Sequence, residues 1–406
     1  MNCRMCKSHR LRRFLDLEFT PPADSFLRKE QLREPETHYP LEVVSCSDCG
    51  LAQLSYVVSP EVLYRHDYPY EASLTQTGRR HWDEFARNTC QAFGLTNADL
   101  VVDIGSNVGV LLECFHEYGP RILGVDPASN IVRLAERRGI ETINEFFNPD
   151  VARAIVRDKG QASVVTGTNV FAHIDDVDTF MVAVDALLNK NGIFIFEAPY
   201  LANLLDSFQY DTIYHEHLSY LSLRPLIGFF GRFNMEVFDV HERDIHGGSF
   251  RVHVARKGAR PVSDAVPKML AREERMALYS DQVLDNFSKS VQQNRDDLRS
   301  LLHRLKSEGN RIAGVSAPAK GMTLLNYCRI GRETLEFITE KSTLKIGRFT
   351  PGTHIPVLPD SELLVQMPEY VLLLAWNFAQ EIMQNLKEYR DRGGKFIIPI
   401  PRPHVV

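Results

Sequence analysis

No stretch of this 406-residue chain stays apolar for the roughly 18 residues that mark a membrane-spanning helix. The longest apolar runs, such as YVLLLAW, have the length of a strand. The opening residues, MNCRMCKSHR, hold no apolar h-region, so no secretory leader is expected and the chain reads as cytoplasmic. A surplus of positive charge is missing too: 47 Lys and Arg face 52 Asp and Glu, for a formal net charge of −5. Neither nucleic acid nor an anionic membrane is thereby announced as a partner. Repeats and low-complexity tracts are absent, and 44% hydrophobic with 24% charged residues excludes wholesale disorder. A monomer is the default expectation.

Cysteine is ordinary in number and unusual in placement. Four of the seven fall in two pairs, Cys3-x2-Cys6 and Cys46-x2-Cys49, and the other three (Cys90, Cys114, Cys328) are scattered. In a reducing compartment, paired CxxC units point to metal rather than disulfides. Two thiolates supplied twice give the tetrahedral shell of structural zinc, with no open position for catalysis. The 39 intervening residues exceed the about 15–20 of a compact ribbon, so a hairpin and loop must be inserted. A redox pair is the weaker alternative, because neither CxxC opens a helix after a strand.

Three regions are expected. Residues 1–75 are irregular and strand-like, a small zinc-stabilised domain. Residues 76–300 begin with a polar helix and then alternate strand with helix: LVVDIG, RILGVDP, ASVVTGTNV and GIFIFEAPY, with helical segments between. That alternation predicts a parallel, doubly wound sheet covered on both faces, ending near residue 200. A long polar helix over roughly 261–309 should lead to residues 301–406, a second and smaller α/β unit.

The first strand-to-helix crossing, VVDIGSNVGVLLECF, places Asp103 at a strand end and Gly105, Asn107 and Gly109 in the loop that opens a helix. Glycines there let backbone approach a ligand at the switch point of the sheet. The next strand ends in Asp126, placed to accept hydrogen bonds from ribose hydroxyls. Acid, glycine-rich loop and second acid resemble the S-adenosylmethionine (SAM) site of class I methyltransferases. A generic nucleotide site and a mere tight turn are the alternatives. Asn169 and His173 lie at or just beyond the carboxyl edge of a later strand, facing the same crevice.

IYHEHLSYLS gathers Tyr214, His215, Glu216, His217 and Tyr220. The i, i+2 spacing of the histidines is wrong for two ligands on one helix face, so acid–base chemistry is the more economical reading. A buried structural network is the alternative. In DIHGGSFRVHVA, Gly247 and Gly248 before Ser249 allow close backbone approach, and Arg251 offers a charge for phosphate; a strand-initiating turn would look the same. In GVSAPAKGMTLLNYC, Lys320 sits at a helix N-terminus that attracts anions. Lys345, Arg348 and His354 surround a Pro-Gly turn suited to a diphosphate, or else are solvated surface charge.

Taken in order, CxxC…CxxC, DIGSNVGVLL, NVFAHIDD, YHEHLSYLS, HGGSFRV, GVSAPAKG and GRFTPGTHIPV resemble the sugar C-methyltransferases of deoxysugar biosynthesis over about residues 3–400. The resemblance implies zinc in the N-terminal domain and SAM in a central class I methyltransferase domain. It implies a nucleotide-diphospho-4-keto-6-deoxysugar between the central and C-terminal domains, methylated at C3 through an enolate. By the same resemblance His217 is the base and Glu216 orients it or shares its proton. His173 and Tyr214 hold the sugar and enolate oxygens, and a linker tyrosine, Tyr68 in preference to Tyr70, completes the site. The rivals are a sugar N- or O-methyltransferase, a zinc-containing RNA methyltransferase and a non-catalytic interaction protein. RNA is disfavoured because residues 1–95 carry 12 Lys and Arg against 13 Asp and Glu.

Overall fold

In the computed structural model, residues 1–65, 68–69, 76–245 and 247–406 are described, which leaves Tyr70 and His246 outside. Strands β1 (Leu11–Thr20), β2 (Tyr39–Cys46) and β3 (Ala52–Leu54) form an antiparallel meander. Inward-facing Leu15, Leu17, Leu41 and Val43 give it an apolar face. One cysteine pair precedes β1; Cys46 closes β2 and Cys49 lies in the turn to β3. The long spacer between the pairs is therefore mostly two strands and their connecting loop.

The central sheet starts with five parallel strands: β4 (Leu100–Ile104), β5 (Arg121–Val125), β6 (Thr142–Ile143), β7 (Ala162–Thr168) and β8 (Leu188–Pro199). Helices Gln76–Phe93 and Val110–Glu117 bury one face, packing Phe85 and Phe115. Helices Pro149–Lys159 and Val177–Leu187 bury the other. The chain then leaves this sheet, and β9 (Ser219–Tyr220) pairs with β3, with Ala52 opposite Tyr220 and Gln53 opposite Ser219. It returns as the hairpin β10 (Met235–Arg243) and β11 (Ser249–Arg256), which completes the order β10-β11-β8-β7-β4-β5-β6.

That hairpin corrects the expectation that the sheet ends near residue 200. MEVFDVHER and SFRVHVAR hide their alternation because charged and imidazole side chains occupy inward positions, Arg251 and His253 among them. The single long helix expected over 261–309 is in fact two, Ala265–Arg275 and Asp281–Ser307. Ala277, at a left-handed φ of 47°, makes the break, and the Ser280 side chain caps the second helix by accepting from the Val283 N–H.

The C-terminal sheet has the order β14-β13-β12-β15-β16-β17. Its strands are β12 (Ile312–Val315), β13 (Ile338–Glu340), β14 (Val357–Pro359), β15 (Tyr370–Leu373), β16 (Lys395–Ile398) and β17 (His404–Val405), parallel except for the last pair. Asn294, buried on the second linker helix, ties this unit to the centre. Its amide donates to the carbonyls of Pro399 and Pro401, and its oxygen accepts from Tyr210 Oη at 2.8 Å.

Glu273 is the corresponding tie on the first linker helix. It is fully buried and accepts from Tyr200 Oη (3.0 Å), Tyr279 Oη and the N–H groups of Leu223 (2.6 Å) and Arg224 (3.1 Å), at the start of helix Leu223–Gly231. Tyr279 also packs against the second cysteine pair: a methyl group at Gly50 would lie 2.3 Å from its ring. Glu273→Ala strands three donors at once, Tyr279 Oη keeping Ser222 Oγ at 3.2 Å, and each stranded group costs about 1–3 kcal/mol before relaxation. The expected result is a loss of at least about 3 kcal/mol, read from the urea midpoint at unchanged slope.

Candidate functional site

The four cysteine sulfurs converge. Cys3 Sγ lies 3.5 Å from Cys49 Sγ, Cys6 Sγ 3.5 Å from Cys46 Sγ, and all four fall within 4.8 Å of one another, without a disulfide. A tetrahedral zinc with bonds near 2.3 Å puts its sulfurs about 3.8 Å apart, so the thiolates fit that ion. Backbone turns shape both pairs: Lys7 N–H donates to the Cys3 carbonyl at 3.0 Å and Gly50 N–H to the Cys46 carbonyl at 2.9 Å.

Arg4, inside the first pair, connects this cluster to the rest of the site. Its buried guanidinium donates to Asp175 Oδ1 (2.9 Å) and to the carbonyls of Leu54 and Leu218 (3.1 Å each). Leu218 follows His217 and Asp175 lies two residues after His173, so one cation holds both histidine-bearing loops to β3. Sequence reasoning did not single out Arg4. The available signal was a guanidinium enclosed between two metal ligands, where it cannot swing away.

At the carboxyl edge of β4, Gly105 and Gly109 have φ of +66° and +81°. A Cβ on Gly105 would sit 2.3 Å from Val170, and one on Gly109 2.8 Å from Ile140. The loop they form lies where the strand order reverses, between β4 and β7. Asp126 orders it, accepting from the N–H groups of Asn107 and Ala128 at 2.9 Å each. Burial pushes the Asp126 carboxyl up to about 6. Asp103, buried beneath, accepts from Thr166 Oγ1 at 2.6 Å and is pushed up to about 7 by burial and by Asp126. Asn169 turns at φ 57°, its N–H donating to the Glu197 carbonyl at 2.8 Å. The loop Gly105–Gly109 itself carries no cationic side chain to meet a pyrophosphate.

Beyond Asn169, the turn Phe171–His173 rests on a floor of phenylalanines, with the Phe171 and Phe196 rings 4.8 Å apart. Above it four rings form a row. Tyr64 stacks on His173 (6.0 Å, 5°), His173 meets His217 (5.1 Å), and His217 meets Tyr214 (4.1 Å). His173 Nε2 is buried without a hydrogen-bond partner among the described residues, and burial together with His217 holds the ring well below the usual imidazole range. His217 Nδ1 lies 2.8 Å from the Thr212 carbonyl. A carbonyl only accepts, so Nδ1 carries the hydrogen and the neutral ring keeps its lone pair on Nε2. His215 points elsewhere, against Tyr39 of the zinc domain at 5.9 Å.

Glu216 Oε2 accepts from Tyr68 Oη at 3.1 Å, and the Tyr68 carbonyl is held by Asn130 Nδ2 at 2.9 Å. Burial, and then the neighbouring Asp24, push Glu216 well above the carboxylate range; Lys345 opposes this. Asp24 and Tyr64 are additions that sequence patterning missed, since a lone Asp in PPADSF and a lone Tyr in a short helix carry no periodic or motif signal.

Several expected phosphate ligands are engaged otherwise. Arg251 is buried in an ion pair with Glu197, whose other oxygen meets His81 Nε2 at 2.8 Å, and it stacks 3.7 Å over the Phe85 ring. Lys345 is buried against Asp24 (3.1 Å) and the Ala317 carbonyl (2.9 Å). The Pro-Gly turn does hold an anion, but it is Glu36 of the zinc domain, bound by Gly352 N–H at 2.9 Å and His354 Nε2 at 3.0 Å. Arg251, Lys345 and His354, expected as diphosphate ligands, are thus all engaged by partners within the chain. Ser249 is buried at the start of β11, Oγ donating to the Ile245 carbonyl at 3.2 Å. Lys320 bonds the neutral Asn377 amide and lies 4.8 Å over Trp376, and Arg348 is half-buried beyond the same unit's turn.

Two outcomes follow. If Asp126 accepts from the ribose hydroxyls of SAM, it must do so as the ionised carboxylate, since hydroxyls donate. SAM affinity should be flat above about pH 6 and fall about tenfold per unit below it, and Asp126→Asn should flatten and weaken the profile, by calorimetry. Chelating the zinc, or Arg4→Met, should raise hydrogen–deuterium exchange at 214–220 as well as around 3–54. Unchanged exchange at 214–220 would show the two regions to be uncoupled.

The chain matches three family profiles: a zinc binding domain over residues 3–64, a methyltransferase domain over 79–240, and a C-methyltransferase C-terminal domain over 244–401. It is 39% identical over 405 residues to the C-methyltransferase NovU of Streptomyces niveus, covering 100% of this chain and 96% of that one. A ubiquinone biosynthesis O-methyltransferase of Methylobacterium sp. (strain 4-46) is 28% identical over 134 residues, 33% of this chain and 52% of that one. The SAM-bound structure of magnesium protoporphyrin IX methyltransferase from Synechocystis PCC 6803 aligns at 13% identity over 44% of this chain and 79% of its own, with a TM-score of 0.33, too low to bear on the assignment. Among the described residues, no helix is long and apolar enough to cross a membrane. The full-length match and the three profiles together place the chain in the zinc-binding C-methyltransferase family, SAM-dependent enzymes that carry a structural zinc.

Proposed function

We propose that the enzyme methylates carbon C3 of a nucleotide-diphospho-4-keto-6-deoxysugar through an enolate. A carbon is a poor nucleophile until a neighbouring ketone acidifies its hydrogen, so the protein must first move a proton. One observation carries this reading: the His173 and His217 rings lie 5.1 Å apart in a buried site, and the carboxyl of the adjoining Glu216, pushed up by burial, accepts from Tyr68 Oη. His217 Nε2 removes the C3 proton, and the Thr212 carbonyl steadies the imidazolium that results. Glu216, whose carboxyl burial favours in its protonated form, supplies a proton toward the enolate oxygen through Tyr68 or shares it with His217. His173 Nε2 and Tyr214 hold the sugar oxygens on the floor set by Phe171. When bound at Asp103, Gly105, Asn107, Gly109, Asp126 and Asn169, SAM supplies an electrophilic methyl group. Lys320 and Arg348 face the diphosphate in this reading; Arg251, Lys345 and His354 do not.

The test is mass spectrometry of the enzyme with dTDP-, GDP- and CDP-4-keto-6-deoxysugars in deuterated water. One substrate should gain a single methyl, and should take up deuterium at C3 when SAM is omitted. His217→Ala and Glu216→Gln should keep SAM affinity and lose turnover by about 10²–10⁴-fold. Methyl transfer without carbon exchange would overturn the enolate and indicate an oxygen or nitrogen acceptor.

A further inference from the structure

Asp239, His241 and His253 form a second cluster on the far edge of the central sheet, away from the cysteines. One ligand atom from each lies within 4.8 Å of the others. The strand geometry explains the convergence. Asp239 and His253 are direct register partners on β10 and β11, and His241 is two residues further along β10, on the same face. A register shift between Val237 and Asp239 marks a bulge, which re-aims the side chains that follow it.

The three residues are held as ligands are held. Asp239 Oδ2 meets His241 Nε2 at 2.8 Å, while Oδ1 accepts from Ser263 Oγ and from the Val240 N–H at 3.0 Å, which fixes the carboxylate plane. The His253 ring is 8% exposed, between Phe238 (5.8 Å) and Phe93 (6.5 Å), and meets the His241 ring edge-on at 5.7 Å. Its Nδ1 is buried without a hydrogen-bond partner among the described residues. A buried imidazole left in this way is uncommon, because each unsatisfied polar group costs stability. The nearby arginines do not bar a cation: Arg251 is neutralised by Glu197, and Arg243 faces Glu84 at 3.6 Å.

We propose that Asp239, His241 and His253 bind a divalent first-row transition ion, distinct from the four-cysteine zinc. Two imidazoles and one carboxylate suit Zn2+, Ni2+ or Cu2+ rather than Mg2+ or Ca2+. On binding, the ion takes the place of the hydrogen between Asp239 and His241; the neutral imidazole keeps that hydrogen on its other ring nitrogen, and no electron is transferred. Three protein ligands leave a further position on the exposed His241 side for water. The ion would pin β10, the edge strand of the sheet, to β11 across the bulge.

The test uses the full chain with its four-cysteine zinc in place, titrated with Zn2+ by calorimetry and checked for metal content after dialysis. Wild type should take up one further equivalent. His253→Gln and His241→Ala should each weaken that second equivalent at least tenfold and leave the first untouched. His241 is exposed, so its replacement tests the ligand role without disturbing the core. The proposal is overturned if wild type takes up no second equivalent, or if that equivalent survives unchanged in both variants.

Discussion

The Arg4 guanidinium is the contact on which the geometry of the site depends. It is a buried cation whose acceptors come from three places: the β3 edge through Leu54, the loop after His217 through Leu218, and the segment after His173 through Asp175. A buried charge is tolerable only when such partners are all present, and each partner is then fixed by the cost of abandoning it. The pairing of β3 with β9 supplies the rest of the junction, with Leu54 N–H donating to the Leu218 carbonyl at 2.9 Å. Two backbone pairs would be a weak attachment alone. With Cys3 and Cys6 anchored on either side of Arg4, it becomes a rigid one. Zinc thus acts at a distance, by denying a short N-terminal segment the freedom to leave.

The same logic governs charge elsewhere. Glu197 with Arg251 and His81, Asp24 with Lys345, and Glu36 with His354 are each pairings between residues more than 50 positions apart. Two of them join the zinc domain to the C-terminal unit. Leu27 and Phe349 exchange backbone hydrogen bonds beside them, at 2.9 and 2.8 Å. An arginine or lysine in a sequence advertises its charge but not its counterion. A basic residue near a glycine turn is therefore read as a phosphate ligand whether or not an acid from another domain has already taken it.

This marks the limit of what was legible. The two CxxC pairs, the Gly105–Gly109 loop and Asp126 could be read because their chemistry is local: a knuckle, a left-handed turn and a strand end each need a residue type at a fixed spacing. The parallel core was legible for the same reason, since VVDI and RILGV are continuous apolar runs. Arg4, Asp24 and Tyr64 were not, because each acts through a tertiary partner and none has a spacing rule. The β10–β11 hairpin was hidden by its own polar side chains: Arg251 and His253 occupy inward positions where an apolar residue would have declared the strand. His215 was legible as part of a cluster but not as its odd member. Only the fold shows that His215 turns to Tyr39 of the zinc domain while Tyr214 and His217 join the row of rings with His173.

Four segments meet at Glu216: its own loop, Tyr68 from the linker, Asp24 from the zinc domain and Lys345 from the C-terminal unit. Its raised affinity for a proton is therefore not a property of the loop that carries it. Burial supplies most of the effect, and burial is complete only when the outer domains are docked on the centre. Asp24 adds a like charge that Lys345 partly cancels, so the final balance is set by two residues from opposite ends of the chain. A methyltransferase acting on oxygen or nitrogen has an acceptor that already carries a lone pair, and it gains little from a carboxyl tuned in this way. An enzyme that must make a carbon nucleophile needs a proton held out of water, at a defined place, until the substrate is enclosed. On the proposed reading, that requirement accounts for a zinc-anchored N-terminus and a C-terminal sheet flanking a fold that binds SAM without either of them.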